Sequence, residues 1–237
     1  MDVTLTRPTS LEEAVDLLAR HGEEARPIAG GTALVLMLRQ RLLAARVLVD
    51  LTRIPGLSAV RAQDGGLYLG ATALLHDVAR SPLVRERCPA LARAFGVVGN
   101  VRIRHQATVG GNLAEADYAS DPPTMLLALG ATATVQGPRG RRSLPVERLI
   151  LASYTTSLEP GEVVTAVTVP PLPPEARAAY LRFTSRSAED RPCAAVAVVA
   201  RLEAGVCREL RVAVGAACDV PTRLPEAEAL AAGRPLT

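Results

Sequence analysis

Thr108-Val-Gly-Gly-Asn-Leu-Ala-Glu-Ala-Asp-Tyr-Ala-Ser-Asp121 is the most informative stretch of this 237-residue chain. Val109, a β-type residue, runs into Gly110-Gly111; Asn112 then offers donor and acceptor atoms, and Asp121 a carboxylate. Paired glycines permit positive φ and leave no Cβ in the way. Consecutive N–H groups are then expected to converge on one anion. An ionised Asp accepts from two hydroxyls at once, which suits a ribose. Upstream, Pro27-Ile28-Ala29-Gly30-Gly31-Thr32-Ala33-Leu34 uses the same device. Two such loops face to face would clamp a pyrophosphate, which points to a dinucleotide. Neither loop is a G-x-x-x-x-G-K-[ST] phosphate loop or a G-x-G-x-x-G fingerprint, so an ordinary Rossmann reading fails.

Composition narrows the function classes. Apolar residues make up 49% of the chain and aromatics only 3%, so the cores must be built from Leu, Val, Ile and Ala. All 27 basic residues are Arg, interspersed with acids to a net charge of +3, and no like-charge block suggests a nucleic-acid partner. Cys88, Cys193, Cys207 and Cys218 form no C-x-x-C or Cys/His pair, so neither a zinc nor an iron–sulfur site is expected from this chain alone. No signal peptide or membrane span is read, and reduced thiols suit the cytoplasm.

Outward from the glycine loops, the pattern predicts two lobes. Ser10-Leu-Glu-Glu13 is a capping box ahead of a helix whose apolar residues are Leu11, Ala14, Val15 and Leu18. Arg26–Ala29 reads as a strand ending at the first Gly-Gly. A helix with Leu34, Met37, Leu38 and Arg41 on one side follows it. Arg46–Leu51 reads as a strand buried on both faces. Leu57–Val60 and Leu67–Gly70 read as a hairpin around Asp64-Gly65-Gly66, and Thr72 as the cap of a helix through Val78. Ala131–Gln136 and Gly161–Pro170 are further strands, and Pro170–Pro174 is the best linker. Beyond it, Tyr180–Ser185, Ala194–Glu203 and Arg208–Gly215 read as three strands and Pro225–Ala232 as a helix.

These residues carry a family resemblance. Pro27-Ile-Ala-Gly-Gly-Thr32, then Thr108-Val-Gly-Gly-Asn-Leu-Ala114 and Asp121, resemble the FAD-binding (medium) subunits of the molybdenum hydroxylases. Leu69-Gly-Ala71, Arg104, Leu158-Glu-Pro-Gly-Glu-Val-Val164, Arg182-Phe183 and Pro225–Gly233 extend the likeness over essentially the whole chain. It implies an α+β (mixed α/β) fold. Residues 1–172 would form a two-subdomain FAD-binding lobe of the PCMH/vanillyl-alcohol-oxidase type, divided near residues 53 and 54. Residues 175–237 would form a smaller α+β lobe with a three-stranded antiparallel sheet. Relatives continue for one or two helices beyond the point matching Thr237, so a shortened or truncated C-terminal lobe is expected.

The resemblance also implies roles. Pro27, Ile28, Ala29, Gly30, Gly31, Thr32, Ala33 and Leu34 would wrap the FAD pyrophosphate. Ala107, Thr108, Gly110, Gly111 and Asn112 would form the opposite wall. Asp121 would hold the adenosine ribose, Asp117 a secondary contact, and Val98 with Val164 or Thr165 would lie near the flavin ring. Partner subunits would carry molybdopterin and [2Fe-2S] clusters, and NAD or another acceptor would take the electrons. His105 stands where the family usually has Asn. Two rival readings are a stand-alone flavin oxidoreductase and a flavin-free scaffold. The aliphatic ring-side positions oppose the first, and the intact glycines, Thr32, Asn112 and Asp121 oppose the second.

Overall fold

The computed structural model describes residues 3–235. Strand β1 (Thr4–Thr6) leads into helix α1 (Leu11–His21), which the capping box starts: the Ser10 hydroxyl accepts from Glu13 N at 3.1 Å, and the Glu13 carboxylate accepts from Thr9 N. The box therefore closes on Thr9, one residue before the cap. Strand β2 (Ala25–Ile28), helix α2 (Leu34–Arg39) and strand β3 (Val47–Asp50) complete a parallel sheet in the order β1-β3-β2. Helix α1 covers one face, packing Ala14, Val15 and Leu18 on Val47 and Val49. Leu48 and Asp50 stay partly exposed, so β3 is buried on one face rather than both.

A second, five-stranded sheet is antiparallel, in the order β4-β5-β10-β6-β7. Its first hairpin joins β4 (Val60–Gln63) to β5 (Gly66–Gly70). The turn at Asp64 and Gly65, with φ of 48° and 78°, fixes this register, so the first arm lies three residues beyond the expected Leu57–Val60. Helices α3 (Leu75–Arg80), α4 (Pro82–Arg87), α5 (Pro89–Gly96), α6 (Val101–Arg104), α7 (Val109–Glu115) and α8 (Asp121–Ala128) follow. Thr72 does not cap α3; its buried hydroxyl has no protein partner, and Leu74 holds the cap position. Proline opens α4 and α5, where its missing N–H costs nothing. Strands β6 (Thr132–Gly137) and β7 (Gly140–Pro145), helix α9 (Val146–Leu149), the small pair β8 (Ile150–Ala152) and β9 (Thr155–Thr156), and β10 (Val163–Val169) complete this part.

After the Pro-rich segment, β11 (Ala176–Phe183), β12 (Ala194–Glu203) and β13 (Val206–Gly215) form the three expected antiparallel strands, and β14 (Thr222–Arg223) adds a short fourth. Helix α10 (Pro225–Ala231) lies against β13. The first of these strands begins at Ala176 rather than Tyr180, because its register with β12 runs from Ala176–Arg201 to Phe183–Ala194. The inner face of the sheet packs on α5 and α8. Tyr180, Ala195, Ala197, Val199 and Ala213 thereby join one continuous apolar core with Phe95, Leu91, Met125 and Leu126.

Candidate functional site

The two glycine motifs meet, but they are built differently. Gly30 lies against the Gln106–Ala107 backbone; a Cβ placed on it would stand 1.9 Å from the Gln106 carbonyl oxygen. Gly31 has φ of +69° and turns the chain into α2. Among the described residues, the amides of Gly30, Gly31, Thr32, Ala33 and Leu34 have no protein acceptor, while the Gly31 and Ala33 carbonyls already accept from Val35 and Met37. Five successive donors beside a partly exposed loop suit an anion.

The second motif is not a loop of that kind. Gly110 and Gly111 have no positive φ and form the first turn of α7. The helix period overrides the β-type reading of Val109. The amides of Val109, Gly110 and Gly111 are taken by Ala73 O at 3.0 Å, Ala71 O at 2.7 Å and Thr108 Oγ1 at 3.2 Å. The expected convergence of these amides on an anion is therefore corrected. Gly110 is needed for packing instead, since a Cβ on it would come within 2.6 Å of the Ala71 Cβ. Gly111 is exposed.

The remaining expected site residues divide by exposure. Pro27 is exposed; Ile28 through Leu34, Val98, Asn112 and Asp117 are half-buried. Ala107, Thr108, Gly110, Asp121, Val164 and Thr165 are buried. The Asn112 amide exchanges hydrogen bonds with the Ser120 hydroxyl at 2.8 and 3.1 Å, which pins the following loop. Val164 and Thr165 lie at a bulge in β10, with the Thr165 hydroxyl donating to Thr134 O at 3.2 Å. Both side chains are buried, so neither offers an open face to a flavin ring.

Asp121 has a different task from the one its sequence position suggested. Its oxygens accept from the Tyr180 hydroxyl at 2.6 Å and from Arg182 Nη1 at 2.8 Å, and its side chain is 3% exposed. Burial pushes its carboxyl up, while Tyr180 and Arg182 oppose that shift. Burial and the neighbouring carboxylate push the Tyr180 phenol far up, so Tyr180 is a donor at any working pH. The ribose role is corrected to a buried link between α8 and β11. Asp117 is the carboxylate left at the surface, pairing with Arg191 and accepting from Ala119 N at 3.0 Å. Arg191 also donates to the Tyr154 hydroxyl at 2.7 Å and stands over the Tyr118 ring. The Asp117 carboxylate and Tyr154 hydroxyl hold this guanidinium protonated. His105 stacks on His76 with ring centroids 3.7 Å apart, so its ring is turned to α3.

Reading the sequence did not single out Tyr180 or Arg191, and noted Arg182 only as part of a likeness. One signal was available: Tyr180 and Arg182 are two residues apart on a strand, hence on one face, and Tyr180 shares that face with core residues. A cavity of about 130 Å³ lies elsewhere, between Gly65–Leu67, Arg87, Cys88 and Pro170–Leu172. It is too small for a dinucleotide, and the Arg87 guanidinium is given to the Gly65 and Gly66 carbonyls.

The chain matches two family descriptions: the FAD binding domain in molybdopterin dehydrogenase over residues 1–172, and the CO dehydrogenase flavoprotein C-terminal domain over residues 179–237. It is 35% identical over 219 residues to the 6-hydroxypseudooxynicotine dehydrogenase complex subunit alpha of Paenarthrobacter nicotinovorans, covering 92% of this chain and 74% of that one. It is 32% identical over 232 residues to the putative xanthine dehydrogenase FAD-binding subunit of Escherichia coli, covering 97% and 79%. Its structure superposes on carbon monoxide dehydrogenase from Hydrogenophaga pseudoflava with a TM-score of 0.96 at 32% identity, over 100% of this chain and 82% of that one. The residues present fit the cofactor, for Gly30 leaves room only for a backbone-lined cradle and five free amides line it. The chain belongs to the FAD-binding family of the molybdopterin dehydrogenases, with a C-terminal domain of the CO dehydrogenase flavoprotein type.

Proposed function

We propose that this chain is the electron-relay subunit of a molybdopterin-dependent dehydrogenase complex. Electrons would arrive from iron–sulfur clusters on one partner subunit and leave to an external acceptor such as NAD, while substrate is oxidised at a molybdopterin subunit. FAD, when bound, supplies the exchange between one-electron and two-electron chemistry. The protein's own residues bind and orient it. Gly30–Leu34 give their amides to the pyrophosphate, and Thr32 adds a hydroxyl beside it. Gly111, Asn112, Asp117 and Val98 would contact the cofactor from the side of the second motif. The division into residues 1–172 and 175–237 is supported by the two family matches. Four free cysteines fit a reducing, cytoplasmic setting. Among the described residues, no helix is long and apolar enough to cross a membrane.

The observation that carries this reading is the run of five unpartnered amides at Gly30–Leu34, seated on Gln106. The test is flavin uptake by the purified full chain, read as protein-bound FAD absorbance after gel filtration. One FAD per chain is expected. A folded chain that retains none after incubation with excess FAD overturns the proposal.

A further inference from the structure

Two guanidinium groups converge on one short piece of backbone. Arg104 Nη1 donates to the carbonyls of Val98 at 3.0 Å and Gly99 at 2.7 Å. Arg182 Nη1 donates to the carbonyl of Val97 at 2.8 Å. Three successive carbonyls are thus turned onto arginine. A trans peptide points the next N–H opposite to its carbonyl, and no peptide bond here is cis. The amides of Val98, Gly99 and Asn100 are therefore turned away from the guanidiniums, and none has a protein acceptor among the described residues. Gly99, with φ of +47°, makes the concave bend that brings successive amides together. The segment is half-buried rather than sealed in the core. It adjoins α6, which ends at Arg104, two residues before the Gln106 carbonyl on which Gly30 rests.

Arg182 also spans both lobes. Its second terminal nitrogen, Nη2, donates to the carbonyls of Ala188 and Asp190 at 2.7 Å each, while Nη1 also meets Asp121. One buried guanidinium fixes the Val97 carbonyl, the end of the second glycine motif and the 184–193 loop. Only the planar fork of Arg reaches so many acceptors at once; the Lys ammonium is a point charge.

We propose that Arg104 and Arg182 are positioning residues that aim the amides of Val98, Gly99 and Asn100 into the cofactor cleft as hydrogen-bond donors to an electron-rich edge of bound FAD. Through Arg182 the geometry of this second donor set depends on the C-terminal lobe. The proposal rests on the FAD reading above. Donors to an electron-rich edge favour the reduced, more negative cofactor over the oxidised one, so losing their aim lowers the flavin potential.

The test uses the full chain with Arg104→Met, Arg104→Lys and Arg182→Lys, reading the FAD dissociation constant and the flavin midpoint potential. Wild-type uptake is measured first: none overturns the FAD reading and this proposal with it. Given uptake, Arg104→Met is expected to weaken FAD about three- to tenfold, the worth of one or two hydrogen bonds, and to make the potential more negative. Arg104→Lys should recover part of both effects. Arg182→Lys should move both in the same direction, because the ammonium can pair with Asp121 but cannot hold all four acceptors. Folded variants with wild-type affinity and potential overturn the positioning role while leaving the FAD reading intact. Arg104 lies outside the buried ion pair, so its variants decide the matter even if Arg182→Lys fails to fold.

Discussion

Gly30 and Gln106 stand so close that a Cβ on the glycine would fall 1.9 Å from the Gln106 carbonyl oxygen. These two residues are 76 positions apart in sequence, and here the first motif touches the backbone just ahead of the second. Gly30→Ala must push them apart, at a cost of about 1–3 kcal/mol or more for overpacking. The chain is expected to remain folded by circular dichroism yet lose FAD after gel filtration. Full flavin retention in Gly30→Ala would remove this contact from the site.

Gly110 and Gly111 should respond differently although they are adjacent. Alanine at Gly110 meets Ala71 at 2.6 Å inside the core, and a loss of about 1–3 kcal/mol is expected in urea unfolding. Alanine at Gly111 meets only the Thr108 hydroxyl at 2.9 Å and gains about 1 kcal/mol of helix propensity, so its stability should change little. A bulky residue at exposed Gly111 should instead weaken FAD while leaving the unfolding midpoint in place. Equal losses of stability at both positions would contradict this division.

Asp121, Tyr180 and Arg182 predict a graded series. Asp121→Ala leaves a buried guanidinium without its carboxylate and should cost about 3–5 kcal/mol. Tyr180→Phe removes one buried hydrogen bond and should cost about 1–3 kcal/mol. Denaturant unfolding measures both, and a larger loss for Tyr180→Phe than for Asp121→Ala would refute the ion-pair reading.

Glu228 predicts an acid-side effect. Burial works to raise its carboxyl, but the Arg223 guanidinium and the Val212 amide at 2.9 Å outweigh it and hold the group below the usual carboxylate range. A folded pKa lower than the unfolded one gives stability that is present above about pH 4.3 and is lost as pH falls through the folded value. Glu228→Gln should lose about 1 kcal/mol at neutral pH and flatten the decline below about pH 4.3. A midpoint-versus-pH curve parallel to wild type would show that Glu228 contributes nothing.

Much of this protein is legible in one dimension because its signals are local. The Ser10 capping box, the Asp64-Gly65 turn and the prolines at helix starts each act within four residues, and the structure has them where the chemistry requires. The first glycine loop and its open amides are of the same kind. The sequence also determined the family, since the two glycine motifs and their spacing form a combination that few other folds require.

Tertiary structure alone decided what each polar group faces. The amides at the start of the second motif read as an anion nest until Ala73 and Ala71, nearly forty residues away, are seen to accept from Val109 and Gly110. Asp121 reads as a ribose ligand until β11 brings Tyr180 and Arg182 onto it across about sixty residues. Val164 and Thr165 read as ring contacts until tertiary packing buries them. A hydrogen-bonding group has few partners and takes whichever the fold delivers, so its role is set by long-range packing, whereas a turn or a cap is set by its own neighbours.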